Sequence, residues 1–375
     1  MIKKKIIIFH PYSKLGGADR SLYRLLKKLN KKKYSITFVS IDNSIIKDQL
    51  RREIKFISLN VSRTIFTILK LRELIKNLIK NSNDSRKIIL ISNQNFANII
   101  AFFATINLTN IKKIFIERNH IDELNYYDGL INLIKKKIIK FLMKIAYKNA
   151  DKIIGICKQL SKDLSKHVKK PVQTIYSPSY DKEIYKLSKK KINFTFNKKN
   201  CYLINVSRFS EYKGQMDILK ATSKLFYKYP KLRLILIGYG KYKRKLIKFI
   251  QKNNLNKKIY LIDNCQNPYP FIHKSNLFLF ASNYEGFPNV LVEALMLNTP
   301  VISSNCKSGP EEILLNGKAG DLFQKKNYKQ LNVMIENFIK NPKKLVKKMK
   351  VGKKQLWKFS PDRHVKIYNK ILSNI

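Results

Sequence analysis

Short, β-branched, nearly continuous apolar runs alternate with helical patterns along this chain, and the alternation occurs twice. In the first half, the runs at 5–9, 36–40, 55–59, 88–92, 114–117 and 153–156 read as strands. Their unbroken apolar character fits parallel strands buried on both faces. Helical stretches at 21–29, 65–79, 95–105 and 130–147 fall between them. The pattern restarts after Lys198, with strands at 202–206, 232–237, 259–262, 277–281 and 301–303 and helices opening near Gln215, Lys241, Pro268 and Asn289. A βαβ alternation of this kind predicts an α/β chain built on open, doubly wound sheets. At 375 residues the chain exceeds what one hydrophobic core supports, so two Rossmann-like domains are expected. They are placed at 1–180 and 200–355, with a linker at 181–199, where lysine and asparagine clusters interrupt the apolar pattern, and a helical segment at 356–375.

Composition narrows the function classes. With 44% hydrophobic and 11% aromatic residues, both domains can bury a core, which excludes a disordered chain. No stretch of 18 uninterrupted apolar residues occurs, and residues 1–9 lack the apolar region of a signal peptide, so a cytoplasmic location is expected. Cys157, Cys201, Cys265 and Cys306 are scattered with no Cys-x-x-Cys pair, which predicts neither a zinc site nor a disulfide framework. The net charge of +53 invites a nucleic-acid reading. The lysines, however, are spread through every segment, and no helix-turn-helix, zinc knuckle or ribonucleoprotein aromatic motif accompanies them. Nucleic acid is therefore not expected as a partner. Peripheral contact with an anionic membrane surface is, at about 1 kcal/mol per well-placed basic residue.

The chemistry concentrates in the second half. Residues 282–293 place Glu285 and Glu293 on either side of a Gly286-Phe287-Pro288 turn that runs into an apolar helix at Asn289. Gly286 allows a sharp bend, Pro288 presets the first helical dihedral, and N–H groups from Asn289 onward offer a partly positive helix end to a diphosphate. Ionised carboxylates accept paired hydrogen bonds from sugar hydroxyls. After the strand at 202–206 come Arg208, Lys213 and Gly214; a guanidinium fork and an ammonium there can neutralise a diphosphate leaving group. After the first strand, Leu15-Gly16-Gly17-Ala18-Asp19-Arg20 opens a helix, with glycines that let backbone approach a ligand. After the strand at 114–117 come Arg118, Asn119 and His120, polar groups able to contact a sugar or an acceptor. No Gly-x-Gly-x-x-Gly follows the first strand, so a dinucleotide fingerprint is missing.

Taken in order, 282–293, Pro300–Ser304 and Ser308-Gly-Pro-Glu-Glu-Ile313 resemble the donor-binding signature of family 4 glycosyltransferases, also called glycosyl transferases group 1. Segment 207–214 resembles that family's Gly-Arg-Leu…Lys-Gly motif, with Ser207 in place of Gly. Residues 16–20 resemble its Gly-Gly-Ala-Glu-Arg segment, with Asp19 in place of Glu. The resemblance implies a GT-B fold, two Rossmann-like domains facing across a cleft, with the C-terminal helix crossing back to the first domain. It implies a retaining transfer of a hexose or N-acetylhexosamine from a nucleoside diphosphate sugar, most commonly UDP-linked, to a lipid-linked or polysaccharide acceptor in bacterial surface glycan synthesis. Glu285 would contact the donor sugar, Glu293 the ribose, Arg208 and Lys213 the diphosphate, and Gly286, Phe287, Pro288 and Asn289 the turn around it. Gly16 and Gly17 would face the donor phosphates, and Arg118, Asn119 and His120 the acceptor side, with His120 a candidate catalytic group. No cofactor beyond the nucleotide sugar is implied.

No Asp-x-Asp occurs in the chain, which predicts metal-independent transfer. The stretch Asp263-Asn264-Cys265, where the nucleobase is expected, lacks the Gly common in the family, so the base stays open. Helix 130–147 carries Ile131, Ile134, Ile138, Leu142 and Ile145 on one stripe and Lys136, Lys140, Lys144 and Lys148 on another. That pattern suits either an interfacial helix or one packed on its own sheet. Two alternatives stand beside the transferase: a nucleotide-sugar epimerase using Glu117, Asp122 or Glu123, and a basic nucleic-acid-binding protein.

Overall fold

The structure, a computed structural model, describes residues 3–11, 16–42, 50, 53–80, 88–125, 129–263 and 265–375. The chain divides into two units, Met1–Pro178 with Pro361–Ile375, and Ser179–Ser360.

The first unit holds strands β1 (Lys4–Phe9), β2 (Tyr34–Ser40), β3 (Lys55–Ser58), β4 (Ile88–Asn93), β5 (Ile111–Glu117), β6 (Lys152–Gly155) and β7 (Gln173–Thr174). They form one parallel sheet in the order β3-β2-β1-β4-β5-β6-β7. Its helices are α1 (Gly17–Lys28), α2 (Thr64–Lys80), α3 (Asn95–Ala104), α4 (Leu130–Lys148) and α5 (Lys158–Val168). Ile6, Ile7, Ile8, Phe38, Leu90 and Phe115 are essentially sealed from solvent, as strands covered on both faces must be. The C-terminal helix Pro361–Ser373 returns to this unit and packs on α1. Lys4 Nζ donates to the Leu372 carbonyl at 2.8 Å, and His364 Nδ1 lies 2.7 Å from the Tyr176 carbonyl.

Helix α4 is oriented opposite to the packed arrangement weighed from its sequence. Met143, Ala146 and Tyr147 face the sheet, while Ile131, Ile134, Ile138 and Ile145 face solvent. Lys136 turns inward and donates to the Glu123 carbonyl at 3.0 Å, and Lys140 reaches the Asn125 side chain. Lys136 and Lys140 are thus half-buried, and the solvent face is largely apolar.

The second unit opens with α6 (Lys182–Ser188), capped by the Asp181 carboxylate on the Glu183 and Ile184 N–H groups. Stretch 181–199, read from sequence as a linker, therefore carries a helix and an aromatic cluster: Phe194 lies 5.5 Å from the Phe271 ring and Phe196 4.8 Å from Tyr202. The sheet comprises β8 (Cys201–Val206), β9 (Leu232–Ile237), β10 (Ile259–Ile262), β11 (Leu277–Phe280), β12 (Val301–Ser304) and β13 (Asp321–Phe323). All pairs are parallel, in the order β10-β9-β8-β11-β12-β13. Around it lie α7 (Gln215–Lys228), α8 (Lys243–Lys252), α9 (Tyr269–Lys274), α10 (Asn289–Met296), α11 (Pro310–Ile313), α12 (Tyr328–Lys340) and α13 (Pro342–Lys354). Leu203, Leu234, Leu236 and Leu279 of the sheet pack with Ile218 and Leu225 of α7 and Leu331 and Ile335 of α12.

Each sheet reverses its strand order once, between β1 and β4 in the first unit and between β8 and β11 in the second. Ligands of open α/β sheets bind outside the carboxyl ends of the strands at such a reversal. No helix among the described residues is long and apolar enough to cross a membrane.

Candidate active site

In the second unit, the loops leaving β8 and β11 meet at the reversal. Gly214 sits at φ +69°, and a Cβ there would lie 2.0 Å from the Ala281 carbonyl oxygen, so only glycine lets the two loops touch. Asn283 N–H then donates to the Tyr212 carbonyl at 2.7 Å. A chain of side-chain bonds ties the strand ends beneath. Gln215 donates to Ser207 Oγ at 2.7 Å and to the Arg208 carbonyl at 2.8 Å, Ser207 donates to Asn205 Oδ1 at 2.8 Å, and Asn205 donates to the Leu279 carbonyl at 2.8 Å.

This close approach joins two residues 72 positions apart: Lys213 Nζ lies 2.5 Å from Glu285 Oε1. Their side chains are only 17% and 12% exposed, so water screens the pair weakly. Burial pulls the Lys213 ammonium down, but the Glu285 charge outweighs it and holds the pKa above the ordinary lysine value, with the Tyr212 ring 5.2 Å away. Lys213 is therefore a permanent cation at neutral pH. Burial, and then the Glu285 charge, push the nearby Cys306 thiol well up, so it stays protonated and is no nucleophile. Arg208 leaves the same loop with its side chain exposed.

The turn before α10 differs in detail from its sequence reading. Pro288 caps the helix from outside, and α10 begins at Asn289. Two N–H groups expected to be free are used locally, Asn289 on the Phe287 carbonyl and Leu291 on the Pro288 carbonyl, both at 3.0 Å. Asn289 Oδ1 accepts from Ser179 Oγ at 2.7 Å. Gly286 is half-buried, and Phe287 is buried against Phe359 at 5.3 Å. The second strained glycine of the site is Gly309, at φ +98°, where a Cβ would lie 2.4 Å from Pro288 Cδ. Glu293 is buried about one turn along α10, with Tyr269 Oη 3.3 Å from its Oε1. Ser282 Oγ, Asn283 Oδ1, Ser308 Oγ and Gln215 Oε1 are buried around this turn with no hydrogen-bond partner among the described residues.

The first unit gathers its polar residues into buried hydrogen-bonded networks, in which His10 Nδ1 and Asn93 Nδ2 keep no partner among the described residues. Gly16 N–H donates to Asp19 Oδ2 at 2.7 Å, starting α1 four residues before the position read from the helical pattern. Gly17 is its first residue, and the other Asp19 oxygen lies 2.9 Å from His10 Nε2. Arg118 is buried, donating to Asn93 Oδ1 at 3.1 Å and to Ser177 Oγ at 3.4 Å, while Ser177 donates to Ser21 Oγ at 2.9 Å. His120 is engaged at both nitrogens: Nδ1 accepts from the Asp122 N–H at 3.1 Å, which leaves Nε2–H to donate to Asp163 Oδ2 at 2.9 Å. Asn119 is half-buried. Its N–H and that of Arg118 donate to Glu117 Oε1 at 3.0 and 2.9 Å, and Tyr147 Oη donates to Glu117 Oε2 at 2.5 Å. Burial pushes the Glu117 carboxyl up to about 7, against the pull of these three donors.

The structure thus brings Lys213 and Glu285 into direct contact, with Arg208 on the same loop, Glu293 on the adjoining helix, and Gly16, Gly17, Arg118, Asn119 and His120 in the first unit. Leu15 and Asn264 lie outside the described residues; Asp263 pairs with Lys243. Sequence reasoning missed His10, Asn93 and Tyr147, isolated polar residues at strand ends or on an apolar helix with no motif around them. Among the described residues, no group of three or more His, Cys, Asp or Glu could hold a metal ion.

Residues 188–355 match the family described as Glycosyl transferases group 1. An uncharacterised glycosyltransferase of Methanocaldococcus jannaschii is 37% identical over 211 residues, 55% of this chain and about half, 51%, of the relative's length. The N-acetylgalactosamine-N,N'-diacetylbacillosaminyl-diphospho-undecaprenol 4-alpha-N-acetylgalactosaminyltransferase of Campylobacter jejuni is 26% identical over 338 residues, covering 86% of this chain and 87% of that protein. Anabaena HepE, solved in complex with UDP-glucose, superposes with a TM-score of 0.80 at 16% identity, covering 99% of this chain and 100% of HepE. Over residues 188–355 the chain is thus similar to the group 1 glycosyltransferases, and its two doubly wound parallel sheets are those of the GT-B fold.

Proposed function

We propose that the enzyme moves a hexose or N-acetylhexosamine, with retention, from a UDP-linked donor to a lipid-linked or polysaccharide acceptor in bacterial surface glycan synthesis. The Lys213–Glu285 pair carries this reading: a permanent cation and a carboxylate, 2.5 Å apart and mostly out of water, at the reversal of a doubly wound sheet. A pyrophosphate arriving there competes with Glu285 for the Lys213 ammonium. Once Lys213 turns to the phosphate, Glu285 is released to accept hydrogen bonds from sugar hydroxyls. Arg208, exposed on the same loop, supplies the second cation, and the start of α10 around Asn289 adds partial positive charge. The Gly286-Phe287-Pro288 turn holds that helix start in place, and the buried oxygens of Ser282, Asn283, Ser308 and Gln215 offer further contacts. Glu293 is assigned to the ribose hydroxyls. Gly16 and Gly17 are assigned to the donor phosphates, and Arg118 and Asn119 to the acceptor.

In the transfer step the bond from the anomeric carbon to the phosphate oxygen breaks and a bond to the acceptor oxygen forms. The acceptor proton passes to the departing phosphate. One observation supports the phosphate as the base: both His120 nitrogens are held within the protein. His120 then acts by fixing the turn that carries Arg118 and Asn119. Charge on the leaving group is assigned to Lys213 and Arg208 in place of a divalent ion. Similarity to one protein named as an N-acetylgalactosaminyltransferase acting on a diphospho-undecaprenol-linked glycan and to another solved with UDP-glucose supports the acceptor and donor classes. Calorimetric titration with a panel of UDP- and GDP-sugars tests the reading. A UDP-sugar should bind and release heat that Lys213→Ala abolishes. If no nucleotide sugar binds the wild-type protein, the reading fails; incubation with donor alone should yield no epimerised sugar.

A further inference from the structure

Apolar exposure is concentrated on one helical layer of the first unit. On α4, Leu130, Ile131, Ile134, Ile138, Phe141 and Ile145 are all exposed, Ile131 at 70% and Phe141 at 62%. At 100° per residue they fall within an arc of about 100°, on the side opposite Met143, Ala146 and Tyr147. The helix thus points its apolar stripe straight away from the protein. On α2, Ile65, Phe66 and Leu69 are exposed as well. Helix α3 packs against both α2 and α4, so the three form one layer. Exposed apolar surface of this extent on a monomer marks an interaction site.

The charge around the stripe selects the partner. Helix α4 contains six lysines and no acidic residue. Lys135 borders one edge of the stripe, and Lys137, Lys144 and Lys148 border the other, all exposed. A second copy docking here would set lysine against lysine, whereas an anionic surface with an apolar interior satisfies both features at once. The flexible lysine stems reach sideways and leave the isoleucines free to enter the acyl boundary. Crossover helices begin at the carboxyl edge of a parallel sheet, so the exposed residues at the starts of α2 and α4 lie at the same edge as Arg118 and α1.

We propose that the outward stripe of α4, with the start of α2, docks on a bilayer containing anionic lipid. This extends the lipid-linked acceptor reading but stands apart from the donor assignment. The full chain should float with phosphatidylcholine vesicles containing phosphatidylglycerol and much less with phosphatidylcholine alone. Ile134→Glu with Phe141→Glu should lower vesicle affinity roughly tenfold or more. Lys135→Glu, Lys137→Glu and Lys144→Glu together should remove the preference for anionic lipid. These positions are exposed, so melting temperature and calorimetric donor binding should be unchanged, separating failure here from failure of the donor reading. Flotation unaffected by Ile134→Glu with Phe141→Glu overturns the proposal. So does a wild-type protein that ignores anionic vesicles while sedimenting as a dimer that this double variant dissociates.

Discussion

Both units place functional candidates near the reversal point of a doubly wound sheet, yet they treat charged groups differently. In the first unit the candidates are consumed internally: Asp19 by Gly16 and His10, Arg118 by Asn93 and Ser177, His120 by Asp163 and Asp122. In the second, one ion pair stands between two loops and Arg208 is exposed; buried polar atoms without a partner occur in both units, among them His10 Nδ1 and Asn93 Nδ2 in the first and Ser282 Oγ and Asn283 Oδ1 in the second. A buried hydrogen-bonded network fixes the geometry of the groups within it. An ion pair with one movable cation can exchange partners when a stronger anion arrives. The two units thus differ in where charge can move: the second holds an exchangeable ion pair, and the first a buried guanidinium on neutral partners.

The sharpest way to break that contrast is Lys213→Ala. Transfer should fall roughly 10²- to 10³-fold, about 3–4 kcal/mol of lost transition-state stabilisation, and the melting temperature should drop because Glu285 is left buried without its cation; kcat/KM with the preferred donor, measured well below the new melting temperature, checks it. An equal loss from His120→Gln would erase the difference between the units. Next comes Gly214→Ala, which forces a side chain into the Ala281 carbonyl at a left-handed φ. It should cost about 3 kcal/mol or more in denaturant unfolding and impair donor binding together with stability.

Glu117→Gln probes the buried network through pH. Folded Glu117 holds its proton more tightly than the unfolded chain does, so wild-type stability declines as pH rises from 4.5 to about 7 and levels off above that. The variant lacks this decline. The gap should grow with pH to at most on the order of 3 kcal/mol, read as the difference between two melting-temperature profiles. His364, which burial pushes down to about 3, contributes an opposite slope on the acid side, but it is common to both proteins and cancels. The smallest effect belongs to Arg208→Ala. Its exposed side chain should be worth about tenfold in donor affinity, about 1.4 kcal/mol, with no loss of stability; calorimetry against the donor measures it.

The alternation of apolar runs and helical patterns was enough to read two parallel sheets, because strands buried on both faces must be apolar throughout. Strands β7 and β13 escaped that reading, being two and three residues long and held by a neighbouring strand rather than by any pattern of their own. The motif residues Glu285, Lys213, Arg208 and Gly214 were legible from their positions after strands and before helices. Local sequence did not foretell that Lys213 and Glu285 would touch, since that depends on β8 and β11 becoming neighbours and on Gly214 letting their loops close.

The two faces of α4 show the same division. Periodicity placed its isoleucines on one stripe, because side-chain direction in a helix is set by 3.6 residues per turn. Which stripe met the sheet was a tertiary decision: Met143, Ala146 and Tyr147 packed inward, Tyr147 bonding Glu117 and Asn98, and the isoleucines were left outside. The amino-acid order by itself determined elements, sheet type and chemically competent residues, all of which follow from local spacing. The folded chain alone decided which charges pair, which are sealed and which apolar face stays open, because those depend on contacts between residues far apart in sequence.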